Sequence, residues 1–527
     1  MPRSLFAFGS NGNGQLGIGS DEDTSAPLPV QFNPRPSLDH HDQYPTVRTP
    51  FHDFAAGGNH TALITRLDQL LYMTGSNKDN ESLLTEPTQV FTRLPLTHTN
   101  PLPPSVFLQE EAPPESESQS PTRWRSVACG WAFTIAITEP ESESGPNQVD
   151  LDKTNNAPSM TARDIGAGRI VNRYNKIYAW GSGAFGELGL GPSLTKTGRR
   201  AAAIEGGALN LLGQDYEIIK VRAGLRHVLL LAKENSNGGA RTVLMGWGSN
   251  RQGQLGILTR QRSSEKGEAP ALTDKELRGK FMEPTFILMP KDPVSGDGPV
   301  PEIMDMACGQ NHSLVLFSDG SVYSSGLNKY GQLGPHTPSV PTLKQDFRIG
   351  FERVQGLPFV DSISCGWNHN AAMDTRPLQG QGRTIIYLWG RNDHGQLGNG
   401  VPIASMDLDL SGSGSVPSTI VQVRLPITAH GTPAECEEII SYCCGSEHTL
   451  AMTRSGDCYA WGWNEHGNCG NGCDTSTTTT STAPTEDLRD VPAPRKVQFP
   501  TLPLQDSALD NGQAWVVGGY GSSWVWI

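Results

Sequence analysis

Short apolar runs, among them Ile177-Tyr178-Ala179-Trp180 and Leu314-Val315-Leu316-Phe317, recur along the chain and are each closed by glycine, asparagine, aspartate or serine. Runs this short, rich in β-branched and aromatic residues and bounded by turn formers, predict β-strands. Ser318-Asp319-Gly320-Ser321 and Arg454-Ser455-Gly456-Asp457 separate pairs of such runs and predict hairpins. Long amphipathic helices are hard to find, although Thr273-Asp274-Lys275-Glu276-Leu277 reads as a short helical start.

Two patterns alternate through these runs. One is a strand ending in Trp-Gly or a relative of it, followed by a turn ending Gly-Gln-Leu-Gly. Copies are Phe8-Gly9 with Gly14-Gln15-Leu16-Gly17, Trp180-Gly181 with Gly186-Glu187-Leu188-Gly189, and Trp247-Gly248 with Gly253-Gln254-Leu255-Gly256. Ser325-Gly326, Trp389-Gly390 and Trp461-Gly462 open three more, and Thr74-Gly75-Ser76-Asn77 opens a decayed copy without the glycine turn. The other pattern is Cys-Gly-x-x-His-Ser/Thr before an apolar strand, as in Cys308-Gly309-Gln310-Asn311-His312-Ser313 and Cys444-Gly445-Ser446-Glu447-His448-Thr449. Variants centre on Gly57, Gly130, Gly224, Gly366 and Gly519, so each pattern occurs seven times.

One such unit cannot cover both faces of its own sheet, whereas seven packed radially cover one another. The expected fold is therefore all-β, a seven-bladed β-propeller forming a single domain over residues 1–527. The chain begins with the Trp-Gly pattern and finishes with the Cys-Gly pattern. The two ends must then share one blade, with residues 3–19 and roughly 495–527 meeting to close the ring and remove its open edges.

The interval between successive Cys-Gly glycines ranges from 57 residues (Gly309 to Gly366) to 94 (Gly130 to Gly224), so most repeats carry insertions. Segments near 109–122, 139–173, 259–300 and 473–495 are expected to be disordered in part. The first two are acidic and Ser/Pro-rich, and a Thr/Ser tract runs through 475–485.

Composition supports the many-turn reading, with 59 glycines and 39 prolines in 527 residues. A formal net charge of −13 disfavours binding to nucleic-acid phosphates or anionic lipid. The small basic stretches Arg199-Arg200 and 251–262 read as solvated loop charge. No apolar run reaches signal-peptide or membrane-helix length. The nine cysteines are an odd number, and Cys129, Cys308, Cys365 and Cys444 share one strand position. That pattern predicts buried free thiols in a reducing compartment, hence a cytosolic protein with the nucleus open to it.

Catalytic chemistry is harder to find. Residues 12–17 and 181–186 match G-x-G-x-x-G, but neither is followed by a helical pattern that could aim amides at a pyrophosphate. His60, His227, His312, His369 and His448 share one repeat position, and ring symmetry should spread them over separate blades. They are expected to hydrogen-bond locally within those blades. Cys469 and Cys473 resemble half a zinc site but lack a paired C-x2-C knuckle. The expectation is a non-enzyme with no cofactor and no metal.

One constellation points to binding. The two residues after each Cys-Gly lie in a loop, and seven such loops should gather near the axis on one face. They are Gly58/Asn59, Trp131/Ala132, Leu225/Arg226, Gln310/Asn311, Trp367/Asn368, Ser446/Glu447 and Tyr520/Gly521. Aromatic residues and arginine dominate binding hot spots. Trp131, Arg226, Trp367, Asn368, Glu447 and Tyr520 are accordingly the candidate partner contacts.

The interleaved motifs resemble the regulator-of-chromosome-condensation repeat family over almost the whole chain. Within it, Phe6-Ala7-Phe8-Gly9-Ser10-Asn11-Gly12 through Asp21-Glu22-Asp23 is similar to the fungal α-tubulin-suppressor branch. Trp461-Gly462-Trp463-Asn464-Glu465-His466-Gly467-Asn468-Cys469-Gly470 resembles that branch and the animal secretion-regulating exchange-factor-like branch. The fungal resemblance implies a small zinc-containing diphthamide-synthesis protein as partner, with links to Elongator-dependent tRNA wobble-uridine modification and to diphthamide formation. The alternative the family offers is guanine-nucleotide exchange on a small GTPase, although no wedge and no basic chromatin-binding tail can be recognised. A photoreceptor-like propeller would carry Trp and Arg together after Cys-Gly. Only Trp131 and Trp367 occupy the first loop position as Trp, and neither is followed by Arg.

Overall fold

The computed structural model describes residues 4–36, 50–94, 122–139, 175–198, 201–205, 207–211, 216–236, 239–259, 272–290, 301–335, 347–374, 384–400, 419–423, 425, 438–471, 489–500 and 514–527. Their strands form seven sheets of four or five strands each, arranged as a propeller. From the axis outward, blade 1 contains Phe51–Ala56, His60–Thr65, Leu71–Gly75 and Thr88–Arg93, with Phe32–Asn33 added in parallel. Blade 2 contains Trp124–Cys129, Phe133–Thr138, Ile177–Gly181 and Ala202–Ala203. Blade 3 contains Tyr216–Ala223, His227–Ser236, Gly239–Ser249 and Lys280–Leu288, with Ile257–Thr259 at its rim. Blade 4 contains Ile303–Cys308, His312–Phe317, Val322–Leu327 and Phe347–Arg353. Blade 5 contains Ser362–Cys365, His369–Asp374, Ile385–Gly390 and Val421–Gln422. Blade 6 contains Ile439–Cys444, His448–Thr453, Cys458–Gly462 and Val491–Lys496.

Blade 7 joins the two ends of the chain. Trp515–Gly518 and Ser522–Trp526 supply its inner strands, and Leu5–Gly9 and Thr24–Pro29 its outer ones. Leu5–Gly9 pairs antiparallel with Ser522–Trp526, from Leu5 opposite Trp526 to Gly9 opposite Ser522. Closure is thus of the shared-blade kind that the order of the two patterns requires. Residues 495 and 496 end the outer strand of blade 6, while 24–29 form the rim of blade 7.

Second strands such as His312–Phe317 and His448–Thr453 are buried throughout, because neighbouring blades cover both of their faces. Outer strands such as Thr24–Pro29 are only partly covered. Two long excursions end in outer strands, Lys280–Leu288 and Val491–Lys496, which lie wholly or mostly within segments expected to be disordered in part. The helix Asp274–Leu277 is capped where expected: the Thr273 amide and hydroxyl both donate to Glu276 Oε2, at 2.9 and 2.8 Å. Segments 109–121, 140–173, 260–271, 291–300 and 473–488 lie outside the described residues, as do Arg199, Arg200 and Cys473.

The recurring histidines stitch blades together, rather than bonding within them as sequence position suggested. His60 Nε2 meets Thr134 Oγ1 of blade 2 at 2.8 Å, and His369 Nε2 meets Thr449 Oγ1 of blade 6 at 3.0 Å. His227 reaches Ser313, His312 reaches Asn370, and His448 reaches Ser523 in the same way. At four of these seams the receiving group donates back to the turn of the first blade, as Thr134 does to Glu81 O (2.8 Å) and Asn370 to Gln332 O (2.7 Å). That second bond turns the Asn370 carbonyl oxygen toward His312, so the imidazole carries its proton on Nε2. The seams of blades 1–2, 4–5, 5–6 and 6–7 are therefore relays from imidazole to side chain to turn carbonyl. At the seam of blades 7 and 1, Ser522 stands in the histidine's place and Thr61 alone donates to the turn, to Gln15 O at 2.9 Å. Phe133 stands in place of the blade 2 histidine, and Val228 stands where the next blade would offer a hydroxyl. Both are buried in one apolar cluster, so this seam exchanges the polar relay for a hydrophobic contact.

Glycine is required beside each relay. A Cβ on Gly366 would lie 2.3 Å from His369 Cε1 and 2.5 Å from Gly445 O of the next blade. The glycine turns have their own staples. Asn392 Oδ1 accepts from the Leu397 amide at 2.8 Å, and Gln396 Oε1 accepts from the His394 amide at 2.9 Å. The decayed copy in blade 1 keeps this geometry without glycine. Asn80 (φ 63°) and Leu83 (φ 55°) take the left-handed positions of Gly14 and Gly17, and Glu81 Oε2 accepts from the Asp79 amide as Gln15 does from Asn13.

Candidate partner-binding face

Every inner strand ends at its Cys-Gly loop, and every third strand ends at its glycine turn on the same side. One face thus carries two concentric rings of loops, and the opposite face carries the hairpins. Backbone bonds tie the inner ring together: Gly58 N to Gly130 O, Gln310 N to Trp367 O, Trp367 N to Ser446 O, and Ser446 N to Gly519 O.

The six candidate contacts divide between two places. First-position residues turn toward the axis. Trp131 of blade 2 packs edge-on against Tyr520 of blade 7 (centroids 6.0 Å apart), and Trp367 of blade 5 does the same from the other side (5.3 Å). Trp131 reaches across blade 1 because Gly58 has no side chain; a Cβ there would lie 2.9 Å from the indole. Trp131 remains 46% exposed, one of only four large apolar residues exposed among those described. Burial, only partly offset by Trp367, keeps the Tyr520 phenol protonated well above its ordinary range.

Second-position residues turn instead to the seams. Asn368 is buried and accepts from Gln332 Nε2 at 3.3 Å. Glu447 is buried, held by Arg391 Nη1 (2.7 Å) and Gln396 Nε2 (2.6 Å). Burial raises its carboxyl, with the Arg391 charge and Gln396 opposing. Arg226 lies 4.1 Å above the Phe185 ring yet stays exposed. The hub is therefore Trp131, Tyr520 and Trp367, with Arg226 farther out and Asn368 and Glu447 bracing the loops.

The outer ring is electrically divided. Blades 3 and 4 place Arg251 and Lys329 at the second residue of their turns, where blades 5 and 6 place Asp393 and Glu465. On the acidic side, His394 Nδ1 meets Asp490 at 2.8 Å and His466 Nδ1 meets Asp23 at 2.6 Å. On the basic side, Arg226, Arg251 and Lys280 surround Phe185 at 4.1, 5.5 and 4.7 Å from its centroid. Sequence reasoning treated Arg251 as solvated loop charge and did not single out Phe185 or Lys280. Listing the turn residues in blade order, Lys78, Ala184, Arg251, Lys329, Asp393, Glu465, is the signal that would have exposed the division.

Among the described residues, the group best suited to a cation is Asp393, His394 and Glu447. Arg391 already bridges the two carboxylates at 2.5 and 2.7 Å, so its guanidinium serves as their cation. The G-x-G-x-x-G stretches are two of the glycine turns, and no helix follows either. Burial holds the recurrent thiols protonated: it pushes Cys129 and Cys308 up to about 12 and raises Cys365 and Cys444 well above the ordinary thiol range. Inner strands of blades 1 and 3–7 line an axial cavity of about 400 Å³. Near it, Asp53 accepts from Ser126 Oγ at 2.7 Å and pairs with Arg222 at 3.2 Å. Burial pushes the Asp53 carboxyl up, but Arg222, Ser126 and the Val127 amide outweigh it and hold the group below its ordinary range. Among the described residues no helix is long and apolar enough to cross a membrane.

Residues 139–499 match the RCC1-like domain, and residues 4–64 match the regulator of chromosome condensation (RCC1) repeat. The chain belongs to the RCC1-like family. This RCC1-like propeller is 26% identical to the secretion-regulating guanine nucleotide exchange factor of Bos taurus over 480 residues, covering 89% of this chain and 76% of that protein. It is 23% identical to the RCC1 repeat-containing protein C10F6.04 of Schizosaccharomyces pombe over 527 residues, covering 99% and 98%. Among solved structures, Prp20p of Saccharomyces cerevisiae, described with its binding to Gsp1p and histones, aligns with a TM-score of 0.57 at 18% identity, covering 100% of this chain and 91% of that one. At that identity the likeness concerns the fold.

Proposed function

We propose that this propeller is a protein-binding platform with no catalytic step of its own, and that its loop face receives the partner at the Trp131–Tyr520–Trp367 hub. One observation carries the reading: a half-exposed tryptophan packed on a rigid aromatic neighbour at the centre of a charged, polar rim. An apolar anchor ringed by polar groups is the usual anatomy of a binding hot spot. The partner we favour is a small zinc-containing diphthamide-synthesis protein, and through it Elongator-dependent tRNA modification in the cytosol. The resemblance of residues 6–23 and 461–470 to the fungal branch supports that choice. A second reading, exchange factor for a small GTPase, is favoured by the name of the bovine relative, which aligns with 89% of the chain.

Titrating the full chain with each purified candidate separates the two. Tight binding of the zinc protein, with no acceleration of nucleotide release from a GTPase, is the expected outcome. Faster GTPase nucleotide release together with no affinity for the zinc protein would replace the first reading by the second.

A further inference from the structure

We propose that the basic sector around Phe185 is a distinct subsite that binds an acidic segment of a partner protein. It rests on the platform reading only in placing a protein partner on the loop face. Phe185 sits at the tip of the blade 2 turn, half-buried, with Arg226 and Arg251 of blade 3 and Lys280 from the fourth strand of blade 3 around it. All three cations are exposed, and among the described residues none of them pairs with a carboxylate within salt-bridge distance. Lys280 also donates to Ala184 O at 3.0 Å, which fixes its amine beside the ring. The buried Glu187, whose Oε2 accepts from the Phe185 amide at 2.7 Å, feels the Arg226 and Lys280 charges, so one carboxylate stands against three cations and the cluster stays net positive.

Holding three like charges around one ring costs mutual repulsion, and the Phe185 face offsets part of it through cation–π attraction. An incoming carboxylate removes the remainder. The guanidinium groups, already oriented by the ring, lose little freedom when they grip it. The division of the face decides what kind of polyanion fits. A nucleic-acid strand long enough to gain from counterion release would run on toward Asp393, Glu465 and Asp490 or along a chain of net charge −13. A short acidic peptide segment stays within the basic sector, and its parent protein can meet the acidic sector with basic residues of its own.

The test uses the full chain and a fluorescein-labelled ten-residue peptide of alternating glutamate and glycine. The controls are the lysine counterpart and a ten-nucleotide single-stranded DNA, all at low salt. The glutamate peptide should bind, weaken as salt rises, and lose at least about tenfold in affinity in Arg251→Glu/Lys280→Glu. Arg251→Ala/Lys280→Ala, which adds no repulsion, should lose affinity in the same direction, with circular dichroism unchanged in both. Trp131→Ala should leave peptide affinity as it is, so a failure of the hub reading cannot be mistaken for a failure of this one. Equal glutamate-peptide binding by wild type and both double variants, no binding at all, or tighter binding of the DNA would each overturn the proposal.

Discussion

Rebuilding one polar seam on the pattern of the apolar one tests how the blades are joined. At the junction of blades 5 and 6, His369 Nε2 donates to Thr449 Oγ1 (3.0 Å), and Thr449 donates to Gln396 O (3.2 Å), which also accepts from Trp461 Nε1 at 2.8 Å. At the junction of blades 2 and 3, Phe133 faces Val228, and the matching carbonyl of Glu187 keeps its bond from Trp247 Nε1 (2.7 Å). His369→Phe/Thr449→Val therefore copies an arrangement the chain already tolerates. Thr449→Val alone strands a fully buried imidazole N–H and should cost about 1–3 kcal/mol. His369→Phe alone removes one bond but leaves Thr449 its carbonyl, costing about 1 kcal/mol. The double variant should also cost about 1 kcal/mol, which gives a favourable coupling of about 1–3 kcal/mol in a urea-unfolding cycle. Burial, reinforced by the His448 and His312 charges, pushes His369 down to about 3 from an ordinary value near 6.5. Unfolded His369 thus takes up a proton that the folded group refuses, and its share of stability is lost as pH falls below 6.5 toward 3. The wild-type advantage over the double variant should fall by about 1.4 kcal/mol per pH unit in that window and change sign within it. Single costs that add to within about 0.5 kcal/mol of the double, or a gap independent of pH, would refute the relay.

The same logic applies to the whole ring. Burial holds His60, His312 and His448 down to about 4 and His227 to about 3, so acid unfolding near pH 5 should consume several protons, approaching one per relay histidine; potentiometry showing one proton or none would contradict this. Gly366→Ala should destabilise the propeller by several kcal/mol, of order 3, because the new methyl meets both an imidazole and the Gly445 carbonyl; a melting temperature within a degree of wild type would show that the seam yields. Thiol labelling at pH 8 should leave Cys129 unmodified until denaturant is added, since burial holds it near 12; rapid labelling of Cys129 in the folded protein would contradict its burial.

Much of the fold is legible because its joints are chemical necessities. Gly366 must be glycine, and it must be followed by two loop residues and a histidine, so the ring announces itself by period alone. Which neighbour the histidine bonds is not in the period: His369 could serve its own blade or the next, and only the packing of Thr449 against it decides. The decayed turn of blade 1 was opaque for a related reason, since Asn80 and Leu83 reproduce by backbone strain what glycine supplies freely. For the candidate site, the loops were placed correctly on one face. The division of first and second loop positions between axis and seam depends on side-chain direction, which spacing does not carry. The Phe185 cluster brings together residues from positions 185, 226, 251 and 280, whose proximity arises only when blades 2 and 3 are docked.

The most direct test of the loop-face hub is a set of equilibrium titrations of the small zinc protein against three variants of the full chain. Trp131→Ala removes the exposed hub ring, while Leu67→Ser and Met304→Ser alter two other exposed apolar side chains, 46% and 57% exposed, at the hairpin end. Truncating a central aromatic anchor should cost at least about 2 kcal/mol, some thirtyfold in affinity, with melting temperature unchanged. Wild-type affinity is expected for the other two. Unchanged binding by Trp131→Ala, with loss in Leu67→Ser or Met304→Ser, would move the interface to the opposite face and contradict the hub.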